Sequence, residues 1–208
     1  MRRWSQIAFF LGLLCLPLAL DAGENKKKQT FVVKADQTAD LVSPHLFTAQ
    51  QNCENWALAA GLQTLLEKQD VKLDQSFWVM RLNYGELCVQ QLPSIELLSE
   101  VLNKEFVLDD GRHVRLELHF DPGAPTSIDR LLVRLKQNQP SLLLLRGHPY
   151  YLTGATYDER VRQDGLRLLE VKELRLAETF ARLPAVTFQK DRDNPGEIDG
   201  ILTLTVTP

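Results

Sequence analysis

From Trp56 onward the apolar residues recur at three- and four-residue intervals. Trp56, Ala59 or Ala60, Leu62, Leu65 and Leu66 share one face, while Gln63, Glu67 and Lys68 fall on the other. The spacing predicts a helix that starts at Cys53. A second, shorter helix is predicted from Asp74, a good N-cap, through Phe77 and Met80. A third runs from Ser94 through Leu97, Leu98, Val101 and Leu102, introduced by Pro93. The first half of the chain is therefore expected to be mostly helical.

The period changes after Phe106. Phe106-Val107-Leu108 and then Val114, Leu116, Leu118 and Phe120 alternate with polar residues across a turn at Asp110-Gly111, the signature of a β-hairpin. His113 and His119 share parity with Arg115 and Glu117, so both are expected on the polar face. A helix is predicted from Thr126, with Asp129 completing an acidic capping box and Ile128, Leu131, Leu132 and Leu135 on one face, closed by Pro140. Leu142 to Leu145, Tyr150 to Tyr157 and Leu166 to Leu174 then read as successive antiparallel strands around a turn from Asp158 to Gly165. Weaker strands are expected near Val186 and from Ile201 to Val206.

The extreme N-terminus carries a different signal. Arg2 and Arg3 precede an apolar run from Ile7 to Leu20 that ends in small residues near Ala22, the layout of a cleaved export signal. The run is shorter than the roughly twenty residues a membrane-spanning helix needs, and Cys15 lacks the preceding small residue of a lipoprotein leader. The expected organisation is a signal peptide over 1–22, an N-terminal extension over 23–44 and one domain over 45–208. The expected destination is secreted or periplasmic, with no stable membrane insertion after the signal is removed. Losing Arg2, Arg3 and Asp21 takes the formal net charge from −3 to −4, with charges interspersed apart from Lys26-Lys27-Lys28, which reads as a solvated tail. That distribution argues against a nucleic-acid partner.

Two cysteines, Cys53 and Cys88, survive the expected cleavage, in a compartment that permits disulfides. Cys53 at a helix start, with His148 opening a strand far downstream, is the pairing a thiol-dependent acyl-transfer enzyme needs. Unpaired N–H groups at a helix start favour the thiolate, and an imidazole completes the ion pair. No set of His, Cys and acidic residues has zinc spacing. Asp191 to Gly196 fails as a calcium loop because Pro195 and Leu202 stand at ligand positions. No glycine-rich phosphate loop is present, so no cofactor or metal is expected.

The segment Asn55-Trp-Ala-Leu-Ala-Ala-Gly-Leu-Gln-Thr-Leu-Leu-Glu67 resembles the helix of papain-like cysteine peptidases. Pro140-Ser-Leu-Leu-Leu-Leu-Arg-Gly-His148-Pro-Tyr-Tyr-Leu-Thr-Gly154 resembles their histidine strand. The likeness is closer to the compact bacterial branch that includes bacteriocin-processing peptidases, and it spans roughly Gln50 to Glu173. It implies an α+β, papain-like fold, with a helical N-terminal half packed against an antiparallel β-sheet C-terminal half. It also implies a cysteine peptidase or related amide hydrolase acting on a peptide or protein substrate. Carried over by position, Cys53 is the nucleophile, His148 the base, Glu173 the residue that orients the imidazole and Gln50 or Gln51 the oxyanion donor, Gln50 being the candidate. The chain departs from the family in two places: Asn or Asp is more usual at the third position, and the family's glutamine lies about six residues before the nucleophile.

That spacing opens a second alignment. In plant-type relatives a Cys-Gly-Ser-Cys-Trp element carries a disulfide cysteine followed by the catalytic one just before tryptophan. If Cys53 matches the first, it is bridged to Cys88, which follows Tyr84-Gly85. Asn55 then replaces the nucleophile, and the protein is an inactive relative that binds a peptide or protein partner. An amide cannot become a thiolate. The sequence carries no signal for oligomeric state.

Overall fold

The structure is a computed structural model that describes residues 31–42, 53, 56–82, 93–125, 128–179 and 186–208. Residues Phe31–Pro208 form one compact unit; the expected signal peptide lies outside the described residues. The strands are β1 (Phe31–Asp40), β2 (Glu105–Val107), β3 (His113–Pro122), β4 (Ser141–Leu145), β5 (His148–Arg162), β6 (Arg167–Glu178), β7 (Val186–Gln189) and β8 (Ile198–Thr207). The helices are α1 (Ala57–Glu67), α2 (Gln75–Leu82), α3 (Ile95–Leu102) and α4 (Ile128–Lys136).

The strands make one antiparallel sheet in the order β2-β3-β8-β4-β5-β6-β7, with β1 on the edge of β5 beyond β4. The architecture is therefore mixed α+β, but not the helical half followed by a sheet half that the hydrophobic pattern suggests. Strand β1 precedes every helix and falls inside the segment expected to be an extension. Its apolar residues Val32 and Val33 are exposed and only Ala39, with Leu41 just after the strand, is delivered to the core, so β1 carries no alternation that marks a buried face. A bulge at Ala35-Asp36, with Asp36 at φ 51°, shifts its register and twists the edge, as edge strands commonly do.

The two sheet faces carry two separate cores. On one face lie α1, α2 and α3, whose Leu62, Leu65, Trp78, Leu98 and Leu102 pack on Leu116, Leu142, Tyr151, Leu202 and Leu204. On the other lies α4, whose Leu131, Leu132 and Leu135 pack on Leu143, Leu152, Tyr157, Leu176 and Ile201. Strand alternation explains the division: consecutive residues of β4 and β5 point to opposite faces, so the unbroken leucine run Leu142–Leu145 feeds both cores, as expected of a central strand. Helix caps follow the sequence signals. Asp74 Oδ1 accepts from Phe77 N at 3.0 Å and Ser94 Oγ from Leu97 N at 3.2 Å.

Helix α1 is almost wholly buried, nine of its eleven residues lying in the interior. Gly61 is what lets it approach β4: a Cβ there would lie 2.6 Å from a Leu142 methyl. Its polar link to the sheet is Tyr151, whose hydroxyl donates to Ala60 O at 3.0 Å and shares a hydrogen bond with Thr64 Oγ1 at 2.8 Å. Tyr151→Phe would remove both hydrogen bonds, each worth about 0.5–1.5 kcal/mol net. Chemical denaturation should show that loss as a lower midpoint at unchanged slope; an unaltered midpoint would mean the pair is compensated by water.

Candidate functional site

Of the expected site residues, Cys53, His148 and Glu173 have a described setting, and they do not all converge. Cys53 lies in a turn of its own, its carbonyl accepting from Trp56 N at 2.9 Å. Helix α1 begins only at Ala57, with Trp56 as its N-cap residue and no side-chain cap. The thiol therefore sits before the helix rather than in its first turn, where the N–H field acts. Cys53 is also disulfide-bonded and does not titrate. Its partner lies outside the described residues, as do Cys88, Gln50 and Asn55.

His148 opens β5, as the sequence suggests, directly after a two-residue hairpin turn. Arg146 at φ 50° and Gly147 at φ 73° give that turn the left-handed backbone that favours tight hairpins. Gly147 N donates to Asp199 Oδ2 at 2.6 Å and Arg146 pairs with Glu197 at 2.6 Å, tying the turn to the start of β8. The imidazole is half-exposed, packs on the Tyr150 ring at 4.7 Å between centroids, and bonds through Nε2 to Glu178 Oε2 at 2.9 Å. Burial, and then the charge of Glu178, push the Tyr150 phenol up from its ordinary pKa.

The carboxylate beside His148 is thus Glu178, not Glu173. The expected turn from Asp158 to Gly165 is too wide. Strand β5 continues through Asp158 to Arg162, and the reversal is a tight turn closed by Gly165 N to Arg162 O and Arg162 N to Leu166 O, both 2.9 Å. That register sets Glu173 opposite Thr156, where it bonds Arg175 at 3.1 Å, and sets Glu178 opposite Tyr150. A turn centred on Asp164 in the sequence would have paired Tyr150 with Glu178. Asp158 lies in mid-strand, bonded to Lys172 and to Asp36 N, rather than in the turn.

Alternation also decides which way His148 faces. Its cross-strand partner Leu145 and its neighbour Tyr150 pack against the α4 core, while Tyr151 and Leu142 face α1. The imidazole is accordingly on the α4 side of the sheet, and the helix that follows Cys53 is on the other side.

Beyond the reach of α1 to α3, the same face of β1, β5 and β6 is covered by charge. Lys172 bridges Asp36 and Asp158 at 2.9 Å each, and Arg175 bonds Asp40, Glu173 and Thr156. On the opposite face Glu159 takes Lys34 at 3.1 Å and Arg167 at 2.6 Å. The Lys172 and Asp36 N–H contacts hold Asp158 below the usual carboxylate range, Lys34 and Arg167 do the same for Glu159, and Arg162 lowers Asp164 to about 2. Each group has its folded pKa below its unfolded value, so its contribution is complete above about pH 4 and is lost as pH falls through the folded value. For Asp164 the window is about pH 4 to 2. A carbon NMR titration should place the Asp164 midpoint near 2, and Arg162→Gln should return it toward the ordinary value. A midpoint already near 4 in the parent protein would break the assignment.

No family model matches the chain, and neither a curated protein nor a solved structure matches it. The likeness to papain-like peptidases therefore stands on its sequence motifs. Among the described residues, no helix is long and apolar enough to cross a membrane.

Proposed function

We propose that this protein is an exported, catalytically inactive papain-like domain that binds a peptide or protein partner. In this reading Cys53 and Cys88 are joined as a structural disulfide, and Asn55 stands where the family has its nucleophile. What supports it is that the Cys53 sulfur is paired rather than carried as a titrating thiol. A sulfur in a disulfide has no thiolate to attack a carbonyl, and with Cys15 removed in the leader Cys88 is the partner left in the chain. The helix start adds support: the residue just before Trp56 is the one an N-terminal nucleophile would occupy, and it is an amide. The side of the sheet taken by His148 weighs the same way, since a Cys53–His148 ion pair needs both groups in one cleft.

Intact mass of the exported protein, alkylated under denaturing and non-reducing conditions, tests this. No added alkyl group is expected. Two added groups would return Cys53 to the pool of available nucleophiles and overturn the reading.

One observation favours a second reading, a peptidase or amide hydrolase using Cys53, His148 and the oxyanion donor Gln50. His148 carries a hydrogen-bonded carboxylate, Glu178, on the ring nitrogen, the arrangement that orients a general base. If it holds, the reduced protein is labelled by iodoacetamide at Cys53 faster than at an exposed free cysteine, and Cys53→Ala abolishes both labelling there and peptide hydrolysis. Slow and equal labelling of both thiols removes it.

A further inference from the structure

Lys172 is an extra residue in β6. Glu173 pairs with Thr156 and Val171 with Tyr157, so the strand bulges between them. In a regular strand Val171 and Leu174, three residues apart, would point to opposite faces. The bulge sets both on the α4 side, together with Leu169.

These three side chains line a cavity of about 330 Å³ with Ile128 at the start of α4, Phe188 of β7 and Ile198 of β8. Leu174, Phe188 and Ile198 are buried, while Leu169, Val171 and Ile128 are half-buried, so the cavity has a core floor and a partly exposed rim. Protein interiors leave few voids larger than a water molecule, and this one has the liquid volume of about ten. A water held in such a space needs about two to four polar partners, and the side chains offer few. Of the charged groups at the cavity, Glu170 bonds Arg160 at 3.0 Å and Lys190 at 2.7 Å, and Lys172 bonds Asp36 and Asp158 at 2.9 Å each. Every charge lining it is therefore already answered within the sheet.

The walls are set before any ligand arrives. Lys190 N donates to Lys172 O at 2.9 Å, prolonging the β6–β7 ladder. Beyond it Gln189 N donates to Asp193 Oδ2 at 2.7 Å and Gly196 N to Asn194 Oδ1 at 3.0 Å, which fixes the turn carrying Pro195, another lining residue. An apolar group entering a preformed pocket of this kind expels poorly held water. A charged group would lose its hydration with no partner to replace it.

We propose that this cavity, between α4 and the β6–β7 edge of the sheet, binds a small uncharged apolar ligand, a single ring or a short branched aliphatic group. Its size lies at the low end of the roughly 300–1,000 Å³ of small-molecule sites, which sets the upper limit on the occupant. Neither Cys53 nor His148 lines it, so the site stands whether or not the domain is catalytically inactive.

The test is an NMR titration of the mature protein, its methyl groups labelled with carbon-13, against benzyl alcohol and isoamyl alcohol. Their charged counterparts, benzoate and isovalerate, follow at matched ionic strength. At least one alcohol is expected to saturate, shifting the methyls of Ile128, Leu174 and Ile198, with its charged counterpart at least tenfold weaker. Saturation by benzyl alcohol alone assigns a ring, and by isoamyl alcohol alone an aliphatic group. Val171→Phe and Ala124→Leu each fill the space, and each should weaken that binding at least tenfold without lowering the melting temperature. If one variant is overpacked and unstable, the other carries the comparison. Saturation by neither alcohol, a charged counterpart that binds as well, or wild-type affinity in a folded filling variant overturns the proposal.

Discussion

Replacing Cys88 by serine should lower the melting temperature of the oxidised protein by roughly 10 °C. The expectation follows from what the proposed Cys53–Cys88 bridge would enclose. A Cys53–Cys88 link closes a loop of about 36 residues, for which the chain-entropy argument gives about 3–4 kcal/mol. In a domain of this size each kcal/mol moves the midpoint by about 2–4 °C. The loop holds α1 and α2, and with them Leu62, Leu65, Leu66 and Trp78, all essentially inaccessible to solvent. Releasing the loop therefore lets the denatured chain expand while the native core stays the same.

Cys53→Ser should give the same loss, and the double variant no more than either single one, because one bond is removed in all three. Reductant should take the parent protein down to the variants and leave the variants unmoved. Scanning calorimetry with and without reductant separates these outcomes. A parent midpoint that reductant does not shift would mean that the sulfur of Cys53 contributes nothing to stability, and the proposed inactive, bridged domain would lose its structural rationale.

Gly200→Ala is the second large effect expected, through the sheet rather than the disulfide. Gly200 sits in β8 between β3 and β4, opposite Pro122 on one side and Leu144 on the other. A Cβ there would lie 2.6 Å from Asp121 O and closer still to the Phe120 ring. The ring can turn aside, but the carbonyl belongs to β3 and cannot move without disturbing its pairing with β8. Overpacking of this kind costs about 1–3 kcal/mol, or several degrees in the midpoint. Adding Phe120→Ala should recover little, because it removes the ring and leaves the carbonyl. Full recovery in the double variant would show that the ring alone made the position tight.

Much of the fold was legible because local chemistry and burial agree. The helix caps at Asp74 and Ser94, the hairpin turn at Asp110-Gly111, the amphipathic face of α4 and the leucine run of β4 all emerge where period and punctuation place them. His113 and His119 lie exposed on β3, as their parity with Arg115 and Glu117 requires. Within α2 the apolar signal misleads: Met80 is largely exposed, and Trp78 and Val79 fill the core instead. An eight-residue helix offers too few turns for the period to select a face.

The site was legible in its types and less so in its contacts. His148 at a strand start follows from Gly147 and the leucines before it, but its carboxylate partner depends on where the β5–β6 hairpin turns, and a misplaced tip moves the choice from Glu178 to Glu173. Two bulges compound the difficulty. Between Leu152 and Gly154, and between Thr156 and Tyr157, the β5–β6 register shifts by one residue in opposite senses, so the pairing of the residues between the bulges departs from that on either side.

The sequence by itself determined the helix and strand segments of greatest burial, the α+β class and the residue types available for chemistry, because periodicity and capping act within a few neighbours. Tertiary structure decided the rest: β1 as part of the sheet, two cores on opposite faces, and Glu178 rather than Glu173 beside His148. Those outcomes depend on strand register and on which face each side chain takes. Register is set by pairing between segments up to about 130 residues apart, and no local pattern carries that information.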